Sequence, residues 1–248
     1  MSCRLHTVLD HLPSTTATMF HNLGVIFIIG GGPKGDEGVA NAFAQKGYKV
    51  AVASPSIDKN EIRERGWLPV EVDLTDHKAI HKGFETVRSK IGEPNVVVYN
   101  AGHLTRVGNA TEDPFSITGE QYQHALQINV AAAYTCLHET VQSFKALEDT
   151  NQPTRGLPRV FIAGGNVAVH HPIPFAWTLA SGKAALMHLV QIGNMTYRMR
   201  GWRFYFATQG IRDGKPVARE DIDREAPGRK YVELVQQKAL GEWDVRFV

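Results

Sequence analysis

Lys183 stands in the run Ser181-Gly-Lys-Ala-Ala-Leu186, and this small, apolar context argues against an ordinary solvated lysine. Asn129 falls on an otherwise apolar helical stripe, where an unpaired amide would be costly. It is therefore either a structural hydrogen-bonding group or part of a site. The pair His170-His171 precedes Pro172; an imidazole there could pass a proton near neutral pH, or simply face solvent from a loop. His103 carries the same two readings, directly after the turn Asn100-Ala101-Gly102. Asn166 could bind a carbonyl oxygen without transferring a proton. The segment Gly30-Gly-Gly-Pro-Lys-Gly-Asp-Glu-Gly38 would act through its backbone, since it joins a strand to a helix start that offers free N–H groups to a phosphate. The 11 histidines and 2 cysteines (Cys3 and Cys136) form no HExxH or CxxC pattern, so neither a metal nor a disulfide is expected.

Within the glycine turn, Gly30, Gly32 and Gly35 are the candidates for close approach to a pyrophosphate. Counted back from Phe43, the usual second and third glycine positions hold Lys34 and Asp36. Shifting the frame recovers Gly31 and Gly35 but puts Glu37 at the third. A carboxylate sits at the helix start in either frame. Asp36 would make a good helix cap, yet beside a pyrophosphate its charge is repulsive unless Lys34 offsets it. Ser54-Pro55 after the second strand offers no acid for a ribose 2′-hydroxyl, which leans towards NADP over NAD. Asp73, beside Leu74, could border an adenine or cap the next helix.

These residues need a scaffold, and the hydrophobic pattern describes one. Val25–Ile29, Val50–Ala53, Leu68–Val72, Val96–Tyr99, Val160–Ala163 and Trp202–Ala207 are short apolar runs of the kind buried on both faces of a parallel sheet. Helical stretches separate them, the clearest over 119–147 and 178–200. The pattern predicts a doubly wound, mostly parallel α/β sheet in three layers, forming one domain over 23–248 after an N-terminal extension at 1–22. The stretch 208–230, rich in Gly, Asp and Pro, reads as a loop on the substrate side. Trp177 and Phe175 are expected to make the pocket apolar, which suits a hydrophobic small molecule.

A length of 248 residues with 43% apolar and 21% charged side chains is ordinary for a globular domain. A net charge of +2, without a dense basic block, argues against nucleic-acid binding. No run is long enough for a membrane span, and the first twenty residues lack a signal pattern, so the default location is cytoplasmic.

Asn100-Ala-Gly102 resembles the Asn-Asn-Ala-Gly signature of the short-chain dehydrogenase/reductase family. Asp73-Leu-Thr-Asp76 is similar to that family's Asp-Val-Thr-Asp segment, Asn129 lies where it keeps an Asn, and Ser181-Gly-Lys-Ala-Ala-Leu186 is similar to the end of its active-site helix. The resemblance covers roughly residues 24–207. It implies a nicotinamide cofactor held by Gly30, Gly32, Gly35, Ser54, Asp73, Leu74, Asn100, Ala101, Gly102 and Lys183. It also implies an oxidoreductase acting on a carbonyl/alcohol pair, with Asn129 in a proton path, and a homodimer or homotetramer built through the long helices. Two family groups are missing, because Leu179 stands where a proton-donating Tyr is usual and glycines stand in the serine zone at 163–167. A substitute acid is then required, with His170 as a candidate. Otherwise the scaffold serves a cyclase, isomerase or lyase, or a non-catalytic partner.

Overall fold

The computed structural model describes residues 24–30, 36–149, 156–238 and 241–248. The extension expected at 1–22 lies outside them, as do Gly32, Lys34 and Gly35. Seven strands form one sheet in the order β3-β2-β1-β4-β5-β6-β9. They are β1 (Val25–Ile29), β2 (Lys49–Ser54), β3 (Leu68–Glu71), β4 (Val96–Tyr99), β5 (Val160–Gly164), β6 (Arg203–Gln209) and β9 (Asp244–Phe247). Every neighbouring pair is parallel. Between β6 and β9, the two-residue strands β7 (Ile211–Arg212) and β8 (Lys215–Pro216) make an antiparallel hairpin.

Side-chain alternation divides the core between the two faces of the sheet. Phe27 and Ile29 of β1 join Phe84, Phe144, Phe161 and Phe204 in one cluster. Ile26 and Ile28 join Val39, Phe43, Val98 and Tyr231 in the other. Since each strand is covered on both faces, it reads as a continuous apolar run. Burying each such side chain contributes roughly 1.5–3 kcal/mol.

The covering helices are α1 (Glu37–Gln45), α2 (Lys59–Glu64), α3 (His77–Lys90), α4 (Gly119–Leu126), α5 (Ala133–Asp149), α6 (Val167–His170), α7 (Trp177–Tyr197) and α8 (Ala226–Gln236). Several carry local start signals. Asp58 and Asp76 accept from backbone N–H groups of α2 and α3, and Thr118 with Gln121 forms a reciprocal capping box on α4. Asp36, which the sequence offers as a cap for α1, makes no side-chain cap.

Three features differ from the sequence reading. The apolar stripe over 119–147 is not one α-helix: residues Gln127–Ala132 form a π-helical segment between α4 and α5. A seventh strand, β9, pairs with β6 at the sheet edge; its Asp-Val-Arg-Phe sequence alternates too briefly to announce a strand. Finally, 208–230 is not a plain loop but contains the end of β6, the β7–β8 hairpin, a 3-10 turn and the start of α8.

The sheet order makes β1 a switch point. Strands β2 and β3 lie to one side of it, and β4 onward to the other. A crevice opens at the carboxyl ends of the strands where the chain direction divides. Asp36, the segments after β4 and β5, and the end of β6 border it.

Candidate active site

The crevice is a cleft of about 400 Å³. Asp36, Asn100, Gly102, Lys183, Tyr231 and Leu179 are among the residues that line it.

Close backbone approach builds its floor. Gly30, at φ +129°, ends β1 so near the Asn100-Ala101-Gly102 turn that a Cβ would lie 2.0 Å from the Ala101 nitrogen. Both Asn100 and Ala101 donate their backbone N–H to Ile29 O, at 2.8 and 3.2 Å. At the end of β5, a Cβ on Gly164 would stand 2.5 Å from Asn100 Oδ1, and one on Gly165 would stand 2.1 Å from Thr208 Oγ1. The glycines in the family's serine zone are thus required by the packing of Asn100 and Thr208.

Lys183, on α7, reaches this floor from below and is 3% exposed. Its Nζ donates to Ala101 O at 2.7 Å and Gly164 O at 2.8 Å, and lies 5.6 Å from the Tyr99 ring centre. Burial pushes the amine from its usual range down to about 7. Around Gly102 the predicted residues converge. A Cβ there would lie 3.1 Å from Leu179 Cδ1, 3.5 Å from Lys183 Cε and 3.8 Å from Asn129 Oδ1.

Asn129 is completely buried within the π-helical segment. Its amide donates to His103 O at 2.9 Å, and its oxygen accepts from His103 N at 2.8 Å. Both ends of the side chain therefore clamp the loop that follows Gly102. Tyr99 adds a bond from its hydroxyl to Ile128 O. Departure from regular α-helix is common near functional sites, and here it turns Asn129 onto the His103 backbone.

Across the cleft, Asn100 Nδ2 donates to Asp36 Oδ1 at 2.8 Å, while the Tyr231 hydroxyl donates to Asn100 Oδ1 at 3.4 Å. Burial, and then the Asp36 charge, push the Tyr231 phenol well above its ordinary range, so it stays protonated. Tyr231 is a residue the sequence reading did not single out as a site group. Its signal was the buried face of α8, which packs directly on α1: a Cβ on Gly228 would meet Gly38 O at 2.5 Å.

Other candidates lie apart from this convergence. The His170 ring sits 3.2 Å from Thr208 Oγ1 and 3.9 Å from Asp244 Oδ1, and it does not line the cleft. His103 stacks edge-to-face on His124. Thr178 donates to Thr105 O, and Ser181 accepts from Tyr122. Asn166 lines the cleft but spends its oxygen on the Ala168 N–H, starting α6. Asp73 accepts from the Thr75 backbone and hydroxyl, holding its carboxyl below the usual range; Ser54 and Leu74 are nearly buried. Trp177 does not wall this cleft. It lines a separate apolar hollow of about 460 Å³ with Phe115 and Ile173, and Phe175 is exposed.

Among the described residues no cluster could hold a metal ion, and no helix is long and apolar enough to cross a membrane.

Comparison with known proteins agrees with this arrangement. The family profile described as Enoyl-(Acyl carrier protein) reductase matches residues 37–211. A short chain dehydrogenase/reductase of Cryptosporiopsis sp., dmxR12, is 30% identical over 233 residues, covering 90% of this chain and 91% of its own length. A 3-ketoacyl-(acyl-carrier-protein) reductase of Brucella melitensis, solved with NADH, superposes with a TM-score of 0.75 at 18% identity, covering 92% of this chain and 97% of that one. A short chain dehydrogenase of Mycobacterium smegmatis superposes with a TM-score of 0.72 at 15% identity, covering 90% of each chain. With the Asn100-Ala-Gly102 turn, Asn129 and Lys183 gathered at the switch point of a matching fold, the chain belongs to the short-chain dehydrogenase/reductase family.

Proposed function

We propose that the protein is an oxidoreductase that interconverts a carbonyl and an alcohol on a hydrophobic small molecule, using NADP(H). The observation that carries this reading is the convergence of Lys183, Asn100 and Gly102 on one cleft beside the end of β1.

The donor set fits a nicotinamide dinucleotide at both ends. Lys183 and the Asn100-Ala101-Gly102 turn supply an amine and bare backbone at the reacting end. Ser54, Asp73 and Leu74 end β2 and follow β3, the edge suited to an adenosine. Ser54 brings no carboxylate against a 2′-phosphate, which supports NADP over NAD. Gly30, with Gly32 and Gly35, would serve the diphosphate. When bound, the reduced nicotinamide supplies a hydride to a carbonyl carbon. Lys183 holds the oxygen side of the site through its amine, and Asn129 acts indirectly by fixing the His103 loop. Leu104, Pro227 and Phe247 give the cleft its apolar walls, and the segment 208–230 borders the substrate. The long helices α5 and α7 would join copies into a homodimer or homotetramer.

Asp36 supports a second reading. Its buried carboxylate stands at the start of α1, where a diphosphate would lie. In that reading the cleft serves a proton-transfer enzyme (cyclase, isomerase or lyase) that binds no dinucleotide. Titration of NADPH and NADH against the protein, followed by nicotinamide fluorescence, separates the two. Saturable binding with NADPH preferred is expected, and its absence at sub-millimolar cofactor would overturn the redox reading.

A further inference from the structure

Three consecutive residues of the π-helical segment each bond a different part of the chain at the carboxyl edge of the sheet. Gln127 Nε2 donates to Thr75 O at 3.3 Å, on the turn that follows β3. Ile128 O accepts the Tyr99 hydroxyl from the end of β4. Asn129 takes both backbone groups of His103, just beyond the signature turn. The turn at Thr75 belongs to the edge assigned above to an adenosine, and His103 follows the Gly102 surface assigned to the reacting end. Side chains two residues apart thus hold loops at opposite ends of the proposed dinucleotide.

We propose that Gln127 is a positioning residue, and that the π-helical segment braces the adenosine-side turn against the signature turn so that one dinucleotide meets both at a fixed spacing. The proposal rests on the redox reading above. Gln127 acts through the two turns rather than on the reacting atoms: it removes the cost of aligning two loops when a single ligand must span them. The adenosine-side turn has bonds of its own. Thr75 donates from its backbone N–H and its hydroxyl to the Asp73 carboxylate at 2.8 and 2.7 Å, and Asp76 separately caps α3. Loss of Gln127 therefore frees that turn as a unit without unravelling it.

A second contact orients the Gln127 amide. Thr135 Oγ1 donates its hydrogen to Ala131 O at 3.0 Å, so towards His77 Nδ1, 2.8 Å away, it can only accept. His77 therefore donates from Nδ1, which in the neutral ring leaves Nε2 as an acceptor. Gln127 Nε2 faces that nitrogen at 3.5 Å. The two amide hydrogens of Gln127 are divided between Thr75 O and the His77 ring, which fixes which way the amide points.

The test uses the whole protein labelled with 15N. Gln127→Leu removes the amide, and Gln127→Glu keeps its length but has no N–H for Thr75 O. Without ligand, both variants should speed amide exchange at His103 by about threefold or more. The ring 15N spectrum of the parent, with His77 neutral, should place its proton on Nδ1. A proton on Nε2, or parent-like His103 exchange in both variants, overturns the proposal. Nicotinamide fluorescence then gives the Kd of NADPH, and competition gives that of adenosine 2′,5′-bisphosphate, which spans the adenosine end alone. Both variants should weaken NADPH by about three- to tenfold and adenosine 2′,5′-bisphosphate by about twofold or less. Equal weakening of the two ligands, as a merely structural loss would give, or weakening of neither, overturns it. Failure of the parent to bind NADPH sinks the redox reading instead, and His103 exchange without ligand still decides the brace.

Discussion

Asn100 and Asp36 are joined by a 2.8 Å hydrogen bond that ties the signature turn after β4 to the residue immediately preceding α1. Because the asparagine amide faces the carboxylate, a negative charge is held where a phosphate-bearing ligand would enter. Removing that charge while keeping the hydrogen bond isolates the effect. Asp36→Asn should bind NADPH about tenfold more tightly, a change of roughly 1.4 kcal/mol, and the gain should shrink as salt is raised. An unchanged Kd at low salt would show that Asp36 and the diphosphate do not meet.

Gly182 and Asn129 set how closely α7 crosses the π-helical segment. A Cβ on Gly182 would lie 2.4 Å from Asn129 Cβ, against a wholly buried neighbour. Gly182→Ala should cost about 1–3 kcal/mol by overpacking. It should also displace the Asn129 clamp on His103. Thermal unfolding measures the first effect, and amide exchange at His103 the second. Equal melting temperatures for variant and parent would refute the crossing argument.

Lys183 also makes stability depend on pH. Its folded amine titrates about 7 whereas an unfolded lysine titrates near 10.5, so between those values the unfolded state binds the extra proton. Stability should therefore rise with pH across this window, relative to Lys183→Met, and the difference should be flat below 7. Urea unfolding at pH 6, 7.5 and 9 reads the difference directly. A constant gap between the two proteins at all three values would show that the amine is not shifted.

His170 should behave as a structural residue of the sheet edge. Its ring is wedged between Thr208 of β6 and Asp244 of β9, and burial holds it below the ordinary histidine range, with Arg246 adding to the effect. Below about pH 6.5 the unfolded state takes up a proton that the folded ring resists, so stability falls as pH drops through that region. His170→Gln should remove that acid-side loss and leave NADPH affinity unchanged. A loss of NADPH binding in this variant would put His170 back into the site.

The layered α/β plan, the parallel strands and most of their limits were legible from the chain alone. A strand covered on both faces must be apolar along its whole length, and a helix between two strands must show a stripe. The motifs at Asn100-Ala-Gly102 and Ser181–Leu186 were also legible, because side-chain type at fixed spacing is local information. What side chains do across the fold was not. Asp36 read as a helix cap, yet tertiary packing turned it to Asn100. Asn129 read as a structural hydrogen-bonding group or part of a site, and only the fold shows that both its polar atoms are spent on the His103 backbone from a π-helical turn. Tyr231 lies 131 residues from Asn100, and no local pattern carries that contact. The state of Lys183 depends on the two carbonyls that hold it and the water that burial removes. Sequence spacing names the amine, but only the folded environment determines where it titrates.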